Sequence, residues 1–307
     1  MSGKRHILAI VEPENEPLIV ARKAAWFARV NGFGLTLIWC DADVGPLDGP
    51  FLVSNAARDI ATQIRAAQQQ MVEELAEEID DEGVPVAAQV LEERPIGDGL
   101  LSMIDRSMPA FVFKGTRYHD AAERSIFVDT DWHLMRGCSC PLWLVKRKFR
   151  EERPTIVAAV DPMHTHDKSA ALDTAIVEHA KTIAELAGGD VHLFHSYQPM
   201  AGLAAAANRS FKPVTLAAEE IIDELREEHQ QKLNDLAASC GIDAKHTHQL
   251  SGVPREVLPA FARSIKADLV VMGTQARWGI KRAVIGSTAE RVLDHLPCDT
   301  LLVKPAV

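Results

Sequence analysis

Near the C-terminus, between Gly273 and Thr288, the chain reads "GTQARWGIKRAVIGST", a glycine-flanked basic loop that runs into the start of a helix. Backbone amides at such a turn point unpaired N–H groups, backed by the helix dipole, at whatever anion lies there. Ser287 and Thr288 add hydroxyl donors at the same helix start. Upstream, "TIVAAVDP" (Thr155 to Pro162) is an apolar run of strand length that ends in Asp161. A carboxylate there can accept a hydrogen bond from a sugar hydroxyl or an adenine amino group. The candidate ligand-binding residues are therefore Asp161, Gly273, Ala276, Gly286, Ser287 and Thr288.

These residues need a scaffold that brings a strand end and a helix start together, and the sequence writes one twice. "HILAIVEP" (His6 to Pro13) matches "TIVAAVDP", and Phe113 to Lys146 aligns without a gap to Val271 to Lys304 at a constant offset of 158. In the first half, strands are predicted at 6–11, 34–40, 85–91, 110–114 and 141–146, with helices at 16–31, 57–82, 96–107 and 129–137 between them. The second half repeats the order: strands at 155–160, 190–196, 243–249, 268–272 and 299–303, and helices at 168–187, 215–240, 254–265 and 287–295. Alternating strands and helices predict an α/β fold, a parallel sheet with helices on both faces. In the second helix Ile60, Ile64, Ala67, Met71, Leu75 and Ile79 recur at helical spacing and are expected to face the core, with Gly83 as the stop. The charged stretch "KRKFREERP" (Lys146 to Pro154) is the natural linker, giving domains at 1–147 and 153–307. In open parallel sheets, ligands bind beyond the C-terminal strand ends where chain order reverses, so the second-half site is expected around Asp161, His195 with Ser196, and the glycine loop.

Length and composition agree with two soluble domains. The chain has 307 residues, 47% hydrophobic and 25% charged, and no apolar run approaches a membrane span. The N-terminus lacks a signal-peptide cleavage site, so the expected location is cytoplasmic. A net charge of −10 disfavours nucleic acid and anionic membranes as partners. Five cysteines, an odd and scattered set, suit a reducing compartment; Cys138 and Cys140 are read as small thiols at a strand start rather than half a metal site.

The tandem arrangement, the strand end "VAAVDP", the glycine stretch and the ending "CDTLLVKP" resemble the universal stress protein family, once per half. The resemblance implies two five-stranded sheets of order 3-2-1-4-5 and dimer-like pairing of the halves through their last strands, and it allows a homodimer. Some members bind ATP through this loop and others bind none. By position, Asp161, Gly273, Gly286 and Ser287 match, while Ala276 stands where the motif has its middle glycine; nine residues still separate it from Gly286. If that glycine is needed for positive φ, alanine costs about 1–2 kcal/mol, up to about tenfold or somewhat more in affinity. If it lets a phosphate approach the backbone, the methyl blocks binding. In the first half Glu12 replaces the aspartate, and Gly115, Tyr118, Val128 and Asp129 fill the loop positions, so ATP is expected in the C-terminal domain only.

The expected function is that of a ligand-binding or signalling module in a stress response, with no catalytic residues assigned. Weak ATP hydrolysis is an alternative, although no Walker lysine and no nucleophile–base pair stand out. Another is carriage of an apolar, lipid-like ligand under the alanine-rich loop from Pro199 to Pro213. His164 with His166, and His246 with His248, form two His-x-His pairs that can bind zinc. The third strand is an edge in the implied order, so exposed histidines there need no ligand and no metal is expected. His133 is read as a packed helix residue, not a catalyst.

Overall fold

The computed structural model describes residues 5–40, 55–80, 83–93, 95–116, 129–146, 150–164, 170–198, 218–274 and 292–304. They fall into two compact units, one ending at Glu151 and the other starting at Glu152.

The first unit runs β1 (His6–Val11), α1 (Pro17–Asn31), β2 (Gly34–Trp39), α2 (Asn55–Asp80), β3 (Val86–Val90), α3 (Ile96–Ser107), β4 (Phe111–Gly115), α4 (Asp129–Gly137) and β5 (Leu142–Val145). The pairs β1–β2, β2–β3, β1–β4 and β4–β5 are all parallel, which gives the order β3-β2-β1-β4-β5. Chain order reverses between β1 and β4. Right-handed crossovers then put α1 and α2 on one face and α3 and α4 on the other, in line with the packing of α1 on α2 and of α3 on α4.

The second unit repeats this as β6 (Thr155–Ala159), α5 (Ala170–Ala187), β7 (Asp190–Tyr197), α6 (Ala218–Cys240), β8 (Thr247–Ser251), α7 (Pro254–Ser264), β9 (Leu269–Gly273) and β10 (Asp299–Val303). Its order is β8-β7-β6-β9-β10, again parallel throughout. Both units thus have the 3-2-1-4-5 order that the resemblance implies.

Two sequence expectations shift. The core stripe of α2 is not the one drawn from its largest apolar side chains: Ala61, Gln68, Val72, Ala76 and Ile79 are buried, whereas Ile60 is 57% and Met71 49% exposed. The third strand of the second unit starts at Thr247, after a 3-10 turn over Ala244–His246, rather than at 243. Its pairing explains the shift, since Thr247–Ser251 lie opposite Leu193–Tyr197.

The first unit's core is aromatic. Trp143 of β5, fully buried, stacks on Phe113 of β4 at 4.9 Å between ring centroids and meets Phe27 of α1 edge-on at 5.5 Å. Trp143→Ala removes both ring contacts and opens a cavity. A loss of about 3–5 kcal/mol of unfolding free energy is expected, read from urea denaturation followed by circular dichroism.

Candidate functional site

In both units the first strand ends in a proline turn that carries an acid. The Glu12 carbonyl accepts the Asn15 N–H at 3.2 Å, and the Asp161 carbonyl accepts the His164 N–H at 2.9 Å. Pro13 and Pro162 hold the second turn position at the φ such turns need. Each turn sets its acidic residue beyond the C-terminal end of the central strand, at the reversal point.

The first unit consumes that charge. Lys114, at the end of β4, is completely buried, and its Nζ lies 2.7 Å from Glu12 Oε2 and 2.6 Å from Asp131 Oδ1 at the start of α4. Asn15 Nδ2 also donates to Glu12. Burial alone would lower the lysine pKa, but the charges of Asp131 and Glu12 outweigh it and hold the ammonium form above its ordinary value. At the position aligned with Lys114, the second unit has Met272.

The second unit holds its turn differently. The Asp161 backbone N–H donates to Asp173 Oδ1 at 3.0 Å, and Asp173 is a 1% exposed residue in the first turn of α5. The other oxygen of Asp173 is 3.6 Å from His164 Nδ1, and His164 itself takes a left-handed φ of 51°. The backbone is thus tied down while the Asp161 side chain stays half-buried. His195, on β7, approaches the Val160 carbonyl through Nδ1 at 3.2 Å and His229 Nδ1 of α6 through Nε2 at 2.7 Å. Burial lowers the His229 pKa, against the opposing charges of Asp161 and Glu228.

Gly273 ends β9 next to β6, with Met272 level with Ala159, so it lies at the strand end neighbouring Asp161. Its lack of a side chain has a packing cause: a Cβ there would meet Leu172 Cδ2 of α5 at 2.6 Å. Gly115 is equivalent, because its Cβ would lie 2.4 Å from the Asn15 carbonyl oxygen. Both glycines let the strand-one connection cross the sheet end closely. Thr274 follows, 2% exposed, with its N–H on the Val303 carbonyl at 2.9 Å. Ala276, Gly286, Ser287 and Thr288 lie outside the described residues, as do Tyr118, Val128 and the loop at 199–213.

Sequence reasoning missed Lys114, Asp131, Asp173 and His229. Lys114 had a signal, a lone charge in the apolar strand "FVFKG". His229 had one too, a polar residue on the stripe completed by buried Leu233 and Ala237 of α6. Asp173 had none, because an acid in a first helical turn is ordinary.

The histidine pairs resolve differently from their spacing. His164 sits against Asp173, and His166 is outside the described residues. His246 and His248 gather around His192 of β7, with ring centroids 4.6 and 5.2 Å from it and His192 Nδ1 3.0 Å from His248 Nε2. Among the described residues no group of three or more His, Cys, Asp or Glu is placed to hold a metal ion. Burial first, then the neighbouring imidazoles, push His192 down to about 4, against the opposing charge of Asp190. His133 is exposed, not packed inside; its ring rests over Gly97 and its Nε2 is 3.6 Å from Asp98. Cys138 and Cys140 are free thiols 3.5 Å apart at the start of β5, the first buried and the second half-buried.

A doubly wound parallel sheet, duplicated, with an acidic turn at each reversal point, defines the class; comparison with known sequences places the chain within it. The profile of the universal stress protein family matches residues 4–146 and again 153–304, and the chain belongs to that family, with the stress-response role that membership carries. It is 32% identical over 306 residues to universal stress protein E of Salmonella typhi, covering 99% of this chain and 96% of that one. It is 33% identical over 224 residues to universal stress protein E of Escherichia coli K12, covering 73% and 69% of the two chains. Among solved structures, a putative universal stress protein from Pseudomonas aeruginosa UCBPP-PA14 superposes with a TM-score of 0.72 at 22% identity, over 99% of this chain and 94% of that one, a likeness of fold. No described helix is long and apolar enough to cross a membrane.

Two predictions follow from these charges. Lys114→Met takes the cation away from two buried carboxylates and is expected to cost about 3–5 kcal/mol. The triple variant Glu12→Gln, Lys114→Met, Asp131→Ala removes all three charges together and is expected to lose less than half as much in the same urea titration. For His192, a folded pKa below the unfolded one means that the unfolded chain binds the extra proton, so stability is full above about 6.5 and falls as pH drops toward 4. Thermal midpoints between pH 7 and pH 5 should therefore fall more steeply for the wild type than for His192→Phe.

Proposed function

We propose that the second half, 153–307, binds an adenine nucleotide between the Asp161 turn and the loop that carries Gly273, Ala276, Gly286, Ser287 and Thr288. The first half, 1–147, is the degenerate, supporting copy. Occupancy of the second half is the signal in the stress response, and no residue is assigned a catalytic role. One contrast carries the reading: the acid of the turn is buried against a lysine in the first unit, whereas in the second Asp161 is half-buried and the turn's backbone is held by Asp173. A side chain kept half-buried beside a glycine strand end suits a ligand that donates hydrogen bonds at one end and carries phosphates at the other.

Isothermal titration of ATP, with and without magnesium, tests this. Binding by the wild type is expected, tightened by up to about tenfold in Ala276→Gly, weakened in Asp161→Asn and abolished in Gly286→Val. Binding by the glycine variant alone would mean that one methyl has closed the site. Absence of binding in all four would end the nucleotide reading, and magnesium-dependent phosphate release would turn it into hydrolysis.

A further inference from the structure

Two imidazoles flank the Asp161 turn, and the backbone decides which nitrogen of each carries the proton. The Val160 carbonyl can only accept, so His195 donates to it from Nδ1. In the neutral ring Nε2 is then the acceptor, and its partner, His229 Nδ1, must be the donor. The His229 lone pair is thereby left at Nε2. The two rings lie end to end, with centroids 5.0 Å apart and planes 17° apart, and Tyr197 packs against His229 at 5.2 Å. His195 is 2% exposed and His229 half-buried, so water delivers a proton to the pair through His229.

The fold does not require this pair. The strands begin in register at His6 with Gly34 and at Thr155 with Asp190, which makes Trp39 the counterpart of His195. The buried stripes Gln68, Val72, Ala76 and His229, Leu233, Ala237 make Gln68 the counterpart of His229. The first unit thus has an indole and an amide, neither of which titrates, where the second has two imidazoles.

We propose that the His195–His229 pair makes the Asp161 turn a proton-gated site, which binds a hydrogen-bond-donating nucleoside when the pair is neutral and releases it on acidification. The inference rests on the nucleotide reading above. A proton from water adds at His229 Nε2, the Nδ1–H bond to His195 stays in place, and the ring becomes a cation. Among the described residues, the charged groups that act on it are Asp161 on the turn after β6 and Glu228 on its own helix, and the rings of His195 and Tyr197 on β7 pack against it. Of these, Asp161 is the group that the ligand must use. Pairing with the cation takes up the carboxylate that would accept the ligand's amino or hydroxyl hydrogen.

Adenosine is the probe, because it carries no phosphate to titrate. Its affinity for the full-length protein is expected to fall from pH 7.5 to pH 5.5, by less than the roughly tenfold that an ordinary imidazole would give, because burial lowers the His229 pKa, and the slope is expected to vanish in His229→Gln, the residue of the first unit. A flat wild-type profile with measurable binding overturns the gate and leaves the nucleotide reading intact; no adenosine binding at any pH, with none of ATP either, overturns both. Independently, long-range nitrogen–proton correlation spectra at neutral pH should show His195 and His229 as Nδ1–H tautomers. An Nε2–H form of His195 overturns the relay whatever the binding data give.

Discussion

A carboxylate carried by a tight turn over the reversal point of a parallel sheet must be satisfied by something, and that requirement divides this protein. Strands buried on both faces leave the sheet's polar business to its ends. At the end of β1, Glu12 is only 6% exposed, and removing a carboxylate so far from water is tolerable only with a close cation and further hydrogen bonds. Lys114 and Asn15 supply these, with Asp131 on the far side of the same ammonium. At the end of β6 the turn is fastened by its backbone to Asp173, and the side chain keeps contact with solvent.

The glycines at the strand ends belong to the same constraint. Neither Gly115 nor Gly273 has the positive φ that would call for glycine on conformational grounds. Each is small because the chain that leaves the first strand folds back across it, through Asn15 and Val20 in one unit and Leu172 in the other. The first glycine of a phosphate-binding pattern can thus be retained for packing after the ligand is lost. Gly115 has such a packing cause beside a turn whose acid is paired with Lys114, so the glycine alone is poor evidence for a nucleotide.

Topology was the most legible part of the sequence. The duplicated strand ends and the offset-158 alignment give two copies of one α/β unit, because burial on both faces leaves an unmistakable apolar run for each central strand. Faces and edges were less so. The α2 stripe was drawn through Ile60 and Met71, yet close packing selected Ala61, Val72 and Ala76. The edge strand β8 has a neighbour on one side only, and its start was fixed by pairing with β7, which residue types do not encode. Of the candidate site, Asp161 and Gly273 were readable from pattern. Asp173 and His229 were not assigned, since their roles arise where α5 and α6 pass the turn, tens of residues along the chain.

The two units therefore differ less in fold than in which groups can change charge. In the first, an ammonium and two carboxylates lie inside the protein, where the carboxylates hold the lysine in its charged form. In the second, His195 stands at the corresponding strand end, hydrogen-bonded to His229 on the adjoining helix, whose pKa burial lowers. Burial and charge oppose each other at both places, but the distances decide differently: 2.6–2.7 Å ion pairs overcome desolvation at Lys114, whereas at His229 the pull of Asp161 and Glu228 does not. A group on the losing side of that balance stays within reach of a modest change in pH or ligand, and one on the winning side does not. One duplicated scaffold can for that reason hold a copy whose buried charges are fixed by ion pairs and a copy with imidazoles in that place, with only a handful of side chains exchanged.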